Sequence, residues 1–115
     1  MIWTMTFPTI QPYVRTTQKQ KWVDPRYKKY QQWKAAFRLA ANLSKFPCSL
    51  DPGGSYRLDV LCCWKGKARA DLDNVCKAIQ DSLVQNDRRI LEINARSLER
   101  YGHDKLDVTM FDGTS

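Results

Sequence analysis

The sequence predicts an α+β fold. It reads as a single domain over residues 1–115, with a four-stranded mixed sheet packed with two main helices in the order β-α-β-α-β-β. Three observations predict it. Four short segments alternate apolar and polar residues with the period of a half-buried strand. Two longer segments repeat apolar residues at steps of three and four, the period of an amphipathic helix. The chain has 115 residues, 43% of them hydrophobic, enough for one core and too few for two.

The first strand is IWTMTF, residues 2–7, stopped by Pro8. The stretch that follows carries two prolines and the cations Arg15, Lys19 and Lys21 without periodicity, so it is either a solvated connector or a flexible arm that touches phosphates. Asp24-Pro25 opens the first helix, the acid as N-cap and the proline at the first helical position. Tyr27, Tyr30, Trp33, Phe37, Ala40 and Leu43 form its apolar stripe, with Lys28, Lys29, Lys34 and Arg38 largely off it. Asp51-Pro-Gly-Gly54 is a turn. Residues 56–64 form the second strand, with Tyr56, Leu58, Val60, Cys62 and Trp64 on one face. A basic loop, Lys65 to Arg69, leads to the second helix, where Leu72, Val75, Cys76, Ile79 and Leu83 make a buried stripe. Residues 90–98 form the third strand, with Leu91, Ile93 and Ala95 expected on one face. Gly102-His103-Asp104 reads as the turn of a hairpin into a last strand where Leu106, Val108 and Met110 alternate.

Charge narrows the function. Nineteen Lys and Arg against twelve acids give a net +7, which favours a polyanionic partner, nucleic acid ahead of an acidic membrane surface. The four cysteines form no C-x-x-C pair and there is one histidine, so a structural zinc site is disfavoured and most thiols read as small apolar core residues. No apolar run approaches the length a bilayer needs, and no signal peptide is visible. The expectation is a cytoplasmic protein with reduced thiols, not associated with a membrane.

Against that basic background, residues 68–90 gather four of the twelve acids. Asp71 sits just ahead of the second helix, Asp73 falls in its first turn, and Asp73, Lys77 and Asp81 follow at spacing four on a face separate from the apolar stripe. Read structurally, an aspartate caps the helix and Asp73–Lys77–Asp81 is a surface ladder of a few tenths of a kcal/mol per pair, on the order of that for any helical ion pair. Read chemically, the acids are oxygen ligands for Mg²⁺, which supports phosphodiester hydrolysis. Lys77 stands at the rim to add positive charge. Asp87, at the opening of the third strand, is expected to return to the same end of the fold as Asp71 and Asp73.

The run D71-L-D-N74-x-x-K77-x-x-x-D81-x-L83, followed by N86-D87-x-x-I90, resembles the RusA-like Holliday-junction resolvases. The resemblance extends to the order of elements, and its specific part lies between residues 71 and 90. It implies a homodimeric endodeoxyribonuclease dependent on Mg²⁺ or Mn²⁺ that resolves four-way DNA junctions in recombination and repair, in a family often encoded by phages or prophages. By matching positions it implies Asp71, Asp73 and Asp87 as metal ligands and Lys77 as the lysine near the scissile phosphate. Asp81 is expected to support Lys77 through a salt bridge. Arg15, Lys19, Lys65, Lys67, Arg69, Arg88 and Arg89 are the expected DNA-backbone contacts. The connection from Leu83 to Asp87 is shorter than in the family; Asp59, on the polar face of its strand, is a substitute candidate that otherwise reads as a solvent-facing strand residue. The alternative is a non-catalytic, basic junction-binding protein of the same fold. A small RNA-binding module is a third reading, which leaves the acids unexplained and lacks an aromatic–basic RNP-type motif.

Overall fold

The computed structural model of the chain describes residues 1–15, 24–83 and 87–113. The elements are β1 (Ile2–Phe7), α1 (Pro25–Leu43), β2 (Tyr56–Cys63), α2 (Leu72–Leu83), a short 3₁₀ turn (Asp87–Arg89), β3 (Ile90–Leu98) and β4 (Lys105–Asp112). The four strands make one mixed sheet in the order β1-β4-β2-β3, and both helices pack on one of its faces. The α+β class and the element order are therefore as the sequence predicts.

Alternation fixes which face is covered. Tyr56, Leu58, Val60 and Cys62 of β2, with Leu106, Val108 and Met110 of β4 and Met5 of β1, point into the core. Tyr30, Trp33, Phe37 and Ala41 of α1 and Val75, Cys76, Ile79 and Leu83 of α2 close over them. Trp33 and Phe37 stack at 4.7 Å between ring centroids, and Phe7 meets both rings edge-on. Asp24 caps α1 as expected, its Oδ1 accepting the Arg26 N–H at 2.9 Å. The stripe of α1 ends at Ala41, not at Leu43, which is exposed. The chain leaves the helix through Lys45 at φ 58°, and Phe46 and Leu50 fill the core beyond it.

Two expectations for the third strand change. β3 and β4 are not a hairpin: β3 pairs parallel with β2, while β4 pairs antiparallel with β2 and β1. The connection crosses over the end of β2, held by Trp64 N–H on Leu98 C=O at 2.8 Å, Tyr101 N–H on Trp64 C=O at 2.8 Å and Arg100 N–H on Gly66 C=O at 2.9 Å. Arg100 at φ 58° and Gly102 at φ 106° make the tight reversal. The second change is at Leu91. The register slips between Tyr56↔Ile90 and Arg57↔Glu92, so Leu91 is a bulged residue and only Ile93 and Ala95 keep the core-side face.

Cys62, Cys63 and Cys76 are buried and Cys48 is half-buried, all as free thiols. Burial pushes the Cys62 thiol up to about 12. No helix of the described residues is long and apolar enough to cross a membrane.

Candidate nucleic-acid interface and acid pair

β2 ends at Cys63, and the chain turns through residues 64–71 into α2, so Asp71 and Asp73 stand at the C-terminal end of β2. Asp71 accepts the Val75 N–H through its main-chain carbonyl at 3.1 Å, which starts the helix. Both carboxylates are exposed, and among the described residues neither makes an ion pair or a side-chain hydrogen bond. The cap that an aspartate offers in this position is not made. Lys77, one turn further on the same helix, is exposed and makes no ion pair among the described residues. Two unpaired carboxylates and an unpaired ammonium thus stand just ahead of α2 and along its first half.

The Asp73–Lys77–Asp81 ladder is absent. Asp81 turns instead to α1, accepting from Tyr30 Oη at 2.7 Å and pairing with Lys34 Nζ at 2.8 Å. Burial works to raise the Asp81 pKa, but the Lys34 and Tyr30 hydrogen bonds and the Lys34 charge outweigh it and hold the carboxyl below its ordinary value. Tyr30 is pushed up, first by burial and then by its bond to Asp81. This triad ties the two helices together and leaves Lys77 free of Asp81.

The basic segment after β1 is docked as far as it is described. Thr9 Oγ1 accepts from Trp33 Nε1 at 3.0 Å, Ile10 and Val14 pack on the core, and Tyr13 N–H donates to Asn74 C=O at 3.0 Å. That last bond brings Arg15 beside the start of α2. An open groove of about 940 Å³ runs there, with Arg15, Arg26, Lys29, Arg69 and Asp71 among its walls. A second groove, lined by Tyr13, Arg15, Asn74, Lys77, Gln80 and Asp81, continues along α2. Asp73 lines neither. Arg69 is fixed by an ion pair with Asp104 and lies 5.0 Å from the Trp64 ring. The Lys65 N–H and the Arg69 guanidinium hold Asp104 below the usual carboxylate range. Lys65 and Lys67 are exposed in the same loop.

Asp87, Arg88 and Arg89 lie elsewhere. Ile90 pairs with Tyr56, the first residue of β2, and Arg89 Nε donates to Gly54 C=O at 2.7 Å. The 3₁₀ turn is therefore at the N-terminal end of β2, roughly 20 Å along the strand from Asp71 at about 3.3 Å per residue. The expected return of Asp87 to the Asp71 end does not occur, because α2 carries the chain back along β2 before β3 begins. Arg89 is engaged with the turn at Gly54, and Arg88 is exposed at that far end. The side chain of Asp87 and the whole of Lys19 lie outside the described residues. Among those residues no three His, Cys, Asp or Glu side chains stand together as a metal site. Asp59 is on the uncovered face of the sheet, bonded to Arg57 and Asn94, and takes no part in the α2 site.

Arg26, Lys29, Tyr13 and Asn74 complete this surface. In the sequence Lys29 stands among the cations off the α1 stripe, Tyr13 in the segment after the first strand and Asn74 in the 71–83 run, whereas nothing marked Arg26. The chain matches no protein-family model and no curated protein.

Proposed function

We propose that the chain is a RusA-like, structure-specific endodeoxyribonuclease that nicks four-way DNA junctions with Mg²⁺ or Mn²⁺. The observation that carries this reading is that Asp71, an uncompensated carboxylate, lines a cationic groove, with the equally unpaired Asp73 two residues on, in a chain of net +7. A surface built only to bind phosphates has no use for unpaired acids, which repel them. Acids that hold a divalent cation do the opposite.

The donor set suits a hard cation, which takes carboxylate oxygens and keeps waters. Asp71 and Asp73 would hold it. When bound, such an ion lowers the pKa of a coordinated water and neutralises phosphate oxygens. Arg15, Lys29 and Arg69 hold the flanking phosphates, and Lys65 and Lys67 extend the contact along the loop. Lys77 offers its unpaired ammonium to the scissile phosphate as charge builds in the transition state. Water adds to phosphorus and the 3′ oxygen leaves with a proton, giving 5′-phosphate and 3′-hydroxyl ends.

In this reading the protein acts as a homodimer, with one site for each of two opposed strands. The position of Asp87 gives the dimer a second task. Within one chain the main chain at residue 87 is remote from Asp71, so only a second copy could bring that residue to the Asp71 end.

The distance of Asp87 also favours a second reading, a basic junction-binding protein that does not cut. A labelled four-way junction and a linear duplex, each with and without Mg²⁺, separate the two. The nuclease gives paired nicks in the junction only when metal is present and spares the duplex. Salt-sensitive junction binding with no nick under any condition assigns the chain to the second reading.

A further inference from the structure

β3 is an edge of the sheet, bulged at Leu91 near its start and in regular register with β2 from Glu92 to Leu98. It is nine residues long, and Leu91, Ile93 and Leu98 are 64%, 41% and 46% exposed. A long edge with apolar side chains and unpaired main-chain groups is a template for another strand. Its geometry limits which strand fits. Leu98 C=O faces β2, where it accepts from Trp64 N–H, so by alternation the main-chain groups of Glu92, Asn94 and Arg96 face β2 as well. Those of Ile93, Ala95 and Ser97 face outward.

We infer that the chain pairs with a second copy of itself along this edge, antiparallel, with the two-fold axis at Asn94. The inference rests on the two-copy reading above and assigns its surface. Centred on Asn94, outward Ile93 meets outward Ala95 of the partner as a hydrogen-bonded pair. Glu92 of each chain then faces Arg96 of the other in the closer, non-hydrogen-bonded positions. Centring on Ile93 or on Ala95 keeps the main-chain bonds but sets Glu92 against Asn94 or Leu98, and loses both ion pairs.

The charges are available for this. Arg96 makes no ion pair among the described residues. Glu92 is 61% exposed, reaches Arg57 only at 3.8 Å and accepts from Asn94 at 3.0 Å. Two chains of net +7 repel unless they meet on a patch without excess charge. Glu92 and Arg96, with Arg57 and Asp59 beside them, form such a patch. The pairing also runs the start of one β3 beside the end of the other. It thereby brings the partner's Asp87 to the end of the sheet that carries Asp71 and Asp73.

Sedimentation of the full chain tests this with Glu92→Arg, Arg96→Glu and an equimolar mixture of the two. Both positions are exposed, and circular dichroism confirms that each variant is folded. The wild type is expected as a dimer. Each variant alone sets like charges opposite each other and weakens the dimer by about tenfold or more. The mixture restores Arg–Glu pairs at both positions and recovers dimer. A wild-type dimer that both variants leave unchanged, or a mixture that recovers nothing, overturns the β3 pairing while the two-copy reading stands. A wild type that stays monomeric overturns both. Nicking of the junction is scored separately and is not read from these masses.

Discussion

Asp81 sits one helical turn from Lys77, yet it is spent on α1. Its partners, Tyr30 and Lys34, are fixed in turn by the packing of α1 on the sheet. Because the folded-state pKa of Asp81 is depressed, its contribution to stability is present above its ordinary value of 3.8 and is lost as pH falls through the lower folded value. Thermal unfolding of wild type and Asp81→Asn should therefore show the wild type more stable near neutrality, with the gap closing below about pH 4. A gap that is constant with pH would assign the effect to shape alone. The cause of the failed ladder prediction is also at this scale. Spacing along α2 places Asp73, Lys77 and Asp81 on one face, but it carries no information about a lysine and a tyrosine some fifty residues earlier. An ion pair supported by a buried tyrosine outcompetes a helical pair of a few tenths of a kcal/mol, on the order of most exposed i,i+4 contacts.

At the scale of the element, α2 divides cleanly into a buried stripe and a working face, and each half makes its own prediction. Ile79 is fully buried between α1 and the sheet, so Ile79→Ala should cost about 2–5 kcal/mol in urea unfolding. Lys77→Ala, on the exposed face, should change stability by no more than about 0.5 kcal/mol while it impairs cleavage. Equal losses of stability would show that Lys77 is a structural residue. The stripes of both helices were legible because periodicity records burial directly. Strand pairing was not. Gly102-His103-Asp104 does mark a reversal, and β4 does run against β2, but a turn signal says nothing of whether a strand lies between the two it joins. The bulge at Leu91 was hidden for the same reason, since a register slip exists only relative to a partner. The misplacement of Asp87 follows from the parallel β2-α2-β3 unit, in which the helix must travel back the full length of the strand.

Over the whole molecule, most charge on the uncovered side of the sheet is paired, Arg57 with Asp59 and Lys105 with Asp107, while Arg96 at the β3 edge makes no ion pair among the described residues. Where residues 64–71, the segment after β1 and the two helices meet, Arg15, Lys29, Asp71, Asp73 and Lys77 make no ion pair among the described residues, whereas Arg69 is paired with Asp104. The net +7 and the acid cluster were both legible in the sequence, whereas their convergence with Arg15 and Lys29 required the fold. The proposed nuclease divides the acids at and along α2, with Asp71 and Asp73 assigned to metal binding, while Asp81 ties α2 to α1. The most direct test is the rate of Mg²⁺-dependent nicking of a labelled four-way junction by wild type, Asp73→Asn, Lys77→Ala and Asp81→Asn at one pH near neutrality. The account predicts no nicks from Asp73→Asn, a loss of roughly 100-fold or more from Lys77→Ala, and a rate close to wild type from Asp81→Asn. Undiminished nicking by Asp73→Asn, or no metal-dependent nicking by the wild type, would contradict it.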